Sequence, residues 1–266
     1  MKFAVLPKFA LLAVLACAFA FTGCGFLNNS NSAKLTAGNW SFIATSTVTP
    51  GQVSHIGGNL TISGKNVSST MHSDLNCFDV SAPFTFGGTL QNKQITFTSA
   101  ANANSQVITV IASVTNATTI AGTYTVTEGG GCASDQGTIA ASLVPAINGT
   151  WSGPIVTGFG GSNVTLALAL TQATTASSDG TYALTGNVTY ANSTCSLSGT
   201  VNNSFLAGSM LVINGTTVET DSTAGSFTVT SAALNSSSAP TSFGGTYQVI
   251  DGLCAGDAEV TTFTKQ

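Results

Sequence analysis

The chain of 266 residues contains no arginine, and charged side chains make up only 6% of it, against about a quarter in an ordinary globular protein. With six basic residues in all, it cannot neutralise a run of phosphates, so nucleic acid is excluded as a partner. Beyond the N-terminal run, no segment approaches the roughly eighteen continuous apolar residues of a membrane-spanning helix. Histidine is confined to His55 and His72. No Gly-x-Ser-x-Gly elbow is present, and neither is a phosphate loop, a dinucleotide fingerprint or an EF-hand loop. These absences leave no nucleophile with a base beside it. No cofactor and no catalytic residue are expected, and the protein is not read as an enzyme.

What is present is Ser, Thr, Asn and Gly in abundance, which must carry solubility in place of charge. Trp, Tyr, Phe, Val, Ile and Leu recur among them at short alternating intervals. That pattern belongs to a folded all-β protein rather than to a disordered stalk.

The chain also repeats itself. One copy runs Gly38-Asn39-Trp40, Cys77, Gly122-Thr123-Tyr124 and Cys132-Ala133-Ser134-Asp135. The other runs Gly149-Thr150-Trp151, Cys195, Gly245-Thr246-Tyr247 and Cys254-Ala255-Gly256-Asp257. Order and residue type agree at each landmark, which places two homologous domains at residues 36–145 and 146–266.

Each copy holds one middle and one late cysteine, and the repeat selects Cys77–Cys132 and Cys195–Cys254 from the three possible pairings. Zinc is a poor competitor, since no Cys-x-x-Cys and no histidine partner accompany them. No metal site is expected.

In the first copy, β-runs separated by turn residues fall near 39–47, 54–63, 66–75, 83–90, 94–100, 106–115, 118–127 and 136–143. The second copy gives a similar count. Ser63-Gly64-Lys65-Asn66 fits a two-residue hairpin turn with Gly first. Pairing Ser63 with Asn66 puts Ile56, Leu60, Ile62, Val67 and Met71 on a core face. It puts His55, Asn59, Thr61, Ser68, Thr70, His72 and Asp74 on a solvent face. Val164, Leu166, Leu168 and Leu170 alternate with smaller or polar residues in the same way. Residues 107–114 are more continuously apolar, which predicts a strand covered on both sides, by the other domain.

Eight short antiparallel strands in about 110 residues close into an up-and-down barrel, which removes exposed edges. The expected fold is therefore two tandem antiparallel meander β-barrels of about eight strands, with a two-sheet sandwich as the alternative. Gly-x-Trp at the start of each copy resembles the first strand of lipocalin- and avidin-like barrels, in which the Trp plugs one end. The extra tryptophans of a biotin pocket are missing, so biotin binding is not implied.

The N-terminus supplies an address. Lys2 and Lys8 precede an apolar stretch over residues 9–21, and Phe21-Thr22-Gly23-Cys24 follows. This resembles the bacterial lipoprotein signal, in which the cysteine is acylated and becomes the first residue of the mature chain. The resemblance implies a signal peptide over 1–23, a lipidated Cys24, a polar tether over 24–35 and attachment to a membrane through acyl chains alone. Gly25, with no Asp at that position, implies the outer membrane in a Gram-negative cell. Loss of the signal leaves four lysines against ten acidic residues, a net charge of about −6.

Asp135 and Asp257 lie three residues after the late cysteine of each copy, with Tyr124 and Tyr247 shortly before. They are the candidate ligand-binding residues, at a barrel mouth. The competing reading is that each Asp caps its turn through backbone N–H groups. Asp74 with Asp79, and Glu219 with Asp221, are carboxylate pairs close in sequence, but the pairs do not correspond between copies. The expected function is a lipid-anchored cell-envelope binding module for a small ligand or glycan. The alternative is a structural or adhesive surface protein acting through its Thr/Ser/Asn-rich outer faces.

Overall fold

The computed structural model describes residues 34–155 and 163–266; the signal sequence and Cys24 lie outside them. Barrel 1 is built from β1 (Gly38–Ser46), β2 (Val53–Ser63), β3 (Asn66–Ser73), β4 (Phe84–Gln91), β5 (Gln94–Ser99), β6 (Ile108–Asn116), β7 (Thr119–Val126) and β8 (Asp135–Leu143). Barrel 2 follows with β9 (Gly149–Ile155), β10 (Val164–Gln172), β11 (Tyr182–Ala191), β12 (Ser196–Ala207), β13 (Met210–Glu219), β14 (Ala224–Leu234), β15 (Ser242–Asp251) and β16 (Ala258–Lys265). Each strand pairs antiparallel with the next, and both sheets close, β8 onto β1 and β16 onto β9. Closure gives every strand two neighbours and decides for barrels over a sandwich.

The 63–66 hairpin forms in the expected register, with Ser63 opposite Asn66. Gly64 has a φ of 63°, a conformation that favours glycine at this turn position. Ile56, Leu60, Val67 and Met71 point into barrel 1 and are buried, as the alternation predicts. Trp40 and Trp151 are fully buried near equivalent ends of the two barrels. Their indole N–H groups donate to the carbonyls of Thr36 and Ile147, each four residues upstream and each at 2.9 Å. The two copies therefore close that end with the same device.

Among the described residues both interiors are packed with apolar side chains. Barrel 1 packs Phe42, Phe86 and Phe97 edge to face and leaves a void of only about 10 Å³ beside Ser69 and Met71. Barrel 2 stacks Phe227 on Tyr247 and Phe243 on Phe263, beneath a row of Leu166, Leu168 and Leu170. Eight strands enclose a space just wide enough to be filled in this way.

Barrel 2 rests one end against the side wall of barrel 1. The β12–β13 turn, Gly208 and Ser209, lies on β1 and β2. Asn39 donates to the Gly208 carbonyl at 3.0 Å and accepts from the Gly208 N–H at 2.7 Å. The Ser41 hydroxyl donates to Ser209 at 2.8 Å, and Tyr182 donates to Asn59 at 2.8 Å. Ser142 on β8 meets Ser237 in the β14–β15 loop. The approach is close enough that a methyl group on Gly57 would lie 2.4 Å from the Ala207 carbonyl oxygen and 2.5 Å from the Cα of Gly208.

This contact revises two sequence expectations. His72 does point outward from barrel 1, yet it is only 2% exposed, because barrel 2 covers it. The strand expected to be covered, over 107–114, is not covered. In β6, inward Ile108, Val110, Ala112 and Val114 alternate with an outer face on which Ile111 is 48% exposed. β-Branched apolar residues fit an exposed pleated strand well enough, so their continuity did not signal burial. The covered wall is instead the one lined by small residues, including Ser41 and Gly57.

Candidate functional site

In barrel 1 the mirrored Asp and Tyr meet. Tyr124 donates its hydroxyl to Asp135 Oδ2 at 2.6 Å, and Ser46 donates to Asp135 Oδ1 at 2.6 Å. Asp135 Oδ1 also accepts the Gln136 N–H at 2.8 Å. Burial first, and the neighbouring carboxylate second, push the Tyr124 phenol above its ordinary range. The carboxylate thus joins β1, β7 and β8 at the disulfide end of the barrel. Beside it lies a shallow pocket of about 70 Å³ that includes Ser134, Asp135 and Gln106.

Barrel 2 handles the equivalent tyrosine differently. Tyr247 shares a 2.7 Å hydrogen bond with Tyr190, and burial raises both phenols. Asp257 is half-buried in the β15–β16 loop, where its backbone bonds Cys254 and Val249. The two copies therefore do not build a matched Tyr–Asp site.

The cysteines form Cys77–Cys132 and Cys195–Cys254, each tying the loop after an early strand to the loop before the last strand of its barrel. The carboxylate pairs separate in role. Glu219 is fully buried and accepts hydroxyl hydrogen bonds from Ser196 and Thr217. Asp221 is exposed and caps its own turn through Thr223. They do not flank a common space. Asp74 and Asp79, by contrast, line one cavity.

That cavity is a cleft of about 480 Å³ between the barrels. Barrel 1 contributes His55, Asp74, Asp79, Val80 and Ser81, from the start of β2 and the segment after β3. Barrel 2 contributes Phe205, Met210, Leu211 and Val212, with residues 230–233 of β14. Apart from Val80 on the first and Thr230 and Ser231 on the second, the barrel 1 side is polar and the barrel 2 side apolar. The barrel 2 wall is irregular for a reason. β-Bulges fall between Asn202 and Phe205, between Leu211 and Ile213, and between Thr230 and Ala233, and Ser231 takes a φ of 52°. Bulges bend strands and re-aim side chains; here the extra residues fall on β12 and β14, the two strands that flank β13 at the hollow.

On the polar side, His55 Nδ1 pairs with Asp74 Oδ2 at 2.9 Å, and Asp74 Oδ1 accepts the His55 backbone N–H at 2.5 Å. This hydrogen bond raises the His55 pKa against the effect of burial. The Asp79 carboxyl is held below its ordinary value, chiefly by hydrogen bonds from the Ser81 N–H and hydroxyl. Nε2 of His55 makes no hydrogen bond among the described residues, so the pair orients an imidazole but activates no hydroxyl.

No family model, no curated protein and no solved structure matches the chain.

The site must therefore speak through its own geometry. Among the described residues no group of three or more His, Cys, Asp or Glu is placed to hold a metal ion. A half-apolar, half-polar hollow of this size falls within the range of small-molecule sites. Sequence reasoning put His55 and Asp74 on one outward face but did not find the opposite wall. The bulges that shape that wall leave little trace beyond Asn202-Asn203-Ser204, polar residues inside an otherwise β-rich run.

Proposed function

We propose that this protein is a lipid-anchored binding module of the cell envelope, non-catalytic, which holds a small ligand or glycan unit in the cleft between its two barrels. The carrying observation is the contrast in space. Among the described residues the void inside barrel 1 is about 10 Å³, whereas the inter-barrel cleft is about 480 Å³. A ligand taken here would lie against Phe205, Met210 and Leu211 and meet hydrogen-bonding groups on His55, Asp79 and Ser81. The anchor is the acylated Cys24, and the expected location is the outer membrane.

Native mass spectrometry of the full chain, extracted from its host's envelope in detergent, tests the reading. The expected result is a small molecule retained on the protein and released on denaturation. That molecule should be lost from a Phe205→Ala, Leu211→Ala variant. A mass that accounts only for protein, acyl chains and two disulfides would sink the proposal.

The adhesive alternative draws on one observation. At the disulfide end of barrel 2, Leu197, Val218, Ile250 and Leu253 are each about half exposed, an apolar surface available to a partner.

A further inference from the structure

His72 bridges the barrels through both ring nitrogens. Nδ1 faces the Val80 carbonyl of barrel 1 at 2.6 Å, and Nε2 faces the Asp179 carbonyl of barrel 2 at 3.1 Å. A backbone carbonyl can only accept. Neutral imidazole carries one N–H and one bare lone pair, so it can satisfy only one of these contacts. With the ring 2% exposed, water cannot make good the other.

We infer that His72 is a proton-dependent latch between the barrels. Doubly protonated, it donates to both carbonyls and holds the wall of barrel 1 to the end of barrel 2. Singly protonated, it leaves a lone pair facing a carbonyl oxygen and loosens the contact.

Two carboxylates and an aromatic ring lie around the imidazole. The Asp79 carboxylate, in the segment after β3, and the Asp179 carboxylate, in the β10–β11 loop, both interact electrostatically with His72. Burial works against the Asp179 charge, but hydrogen bonds from Ser177 and Thr181 outweigh it, so this group too stays ionised. Asp74, just past the end of β3, is engaged by His55. The Phe205 ring lies 5.9 Å from the imidazole, tilted by 32°, within reach of a cation–π contact.

Val80, Asp79 and Phe205 are also walls of the cleft, so the latch sets the shape of the hollow. Acid conditions close it, and alkaline conditions loosen it. The consequence for ligand affinity rests on the cleft being the binding site; the latch does not.

The test is a distance measurement between spin labels on the full chain in detergent, at Thr96→Cys on β5 and Val260→Cys on β16. Histidine changes charge between about pH 5 and 8. One narrow distance is expected at the acid end. At the alkaline end the undocked population should rise about ten- to a hundredfold, the worth of one buried charge-assisted hydrogen bond. His72→Gln should abolish this response, and His55→Gln should keep it.

An unchanged distribution across that range, or a response that survives His72→Gln, would overturn the latch. A second readout needs no variant. Nitrogen-15 shifts should show both ring nitrogens of His72 protonated in the docked form; one bare nitrogen there would refute the proposal. A pH-dependent distance with a pH-independent ligand affinity would keep the latch and reject the cleft.

Discussion

Gly57→Ala should separate the docking of the barrels from their folding. Gly57 lies on β2, and its missing side chain would project at barrel 2. The added carbon would stand 2.4 Å from the Ala207 oxygen and 2.5 Å from the Gly208 Cα, where ordinary contact needs about 3.5 Å. Both obstacles are backbone, so the surfaces must part by about 1 Å. At that separation the 2.7 Å and 3.0 Å bonds between Asn39 and Gly208, and the 2.8 Å bond between Ser41 and Ser209, pass beyond useful length. Three buried neutral hydrogen bonds are worth about 1 kcal/mol each. Docking should therefore weaken by about 3 kcal/mol, roughly a hundredfold in its equilibrium constant.

Neither barrel core is touched. Far-ultraviolet circular dichroism and the melting of each barrel should stay close to the parent. Small-angle scattering should show a more extended particle, and amide exchange should quicken at Gly208. Gly87→Ala is the control, on an outward position of β4 with nothing within 4 Å. If Gly57→Ala keeps both the parent's scattering profile and its protection at Gly208, the argument that backbone contact sets the docking is wrong.

Three further outcomes are expected. Replacing Cys195 and Cys254 by serine should cost barrel 2 about 4 kcal/mol in urea unfolding, from opening a loop with a sequence separation of 59 residues, and should leave barrel 1 unchanged. Ser69→Ala should be neutral or stabilise barrel 1 by about 1 kcal/mol in the same assay, because the Ser69 hydroxyl is buried without a partner among the described residues; a clear loss would show that it has one. His55 is raised by its hydrogen bond to Asp74, so the stabilisation it brings is full below its unfolded value of about 6.5 and fades as pH rises through the folded value. Proton-resonance titration should find the midpoint above that value, and Asp74→Asn should bring it down.

The barrel itself was legible because each strand writes its own alternation. Ile56, Leu60, Val67 and Met71 point inward whatever lies outside, and the turn at Gly64 fixes their register. The disulfide pairing followed from the repeat. The docked wall was not legible, for the same reason that the core was. His72 occupies an outward position on β3, and period-two patterning gives one reading for an outward residue whether water or a second barrel faces it. Only the small residues Ser41 and Gly57 hinted at close approach. The cleft was hidden further, since it depends on bulges in β12 and β14, each a one-residue slip with weak sequence demands. Asp135 and Tyr124, two of the candidate ligand-binding residues, are brought together by a hydrogen bond in the first copy. Their counterparts diverged because Tyr190 supplies Tyr247 with a different partner.

The contact between the barrels also has a direction. One copy offers its wall and the other its end, so no twofold axis relates the two surfaces. Head-to-tail contacts of this kind do not close on themselves and can in principle propagate into fibres. The turn in barrel 1 that corresponds to Gly208-Ser209 joins β4 to β5 and reads Asn92-Lys93, with both residues exposed. Burying that ammonium against another wall would carry a heavy desolvation cost. The two barrels thus differ at this turn, Gly208-Ser209 seated on a neighbouring wall in one and the exposed Asn92-Lys93 in the other.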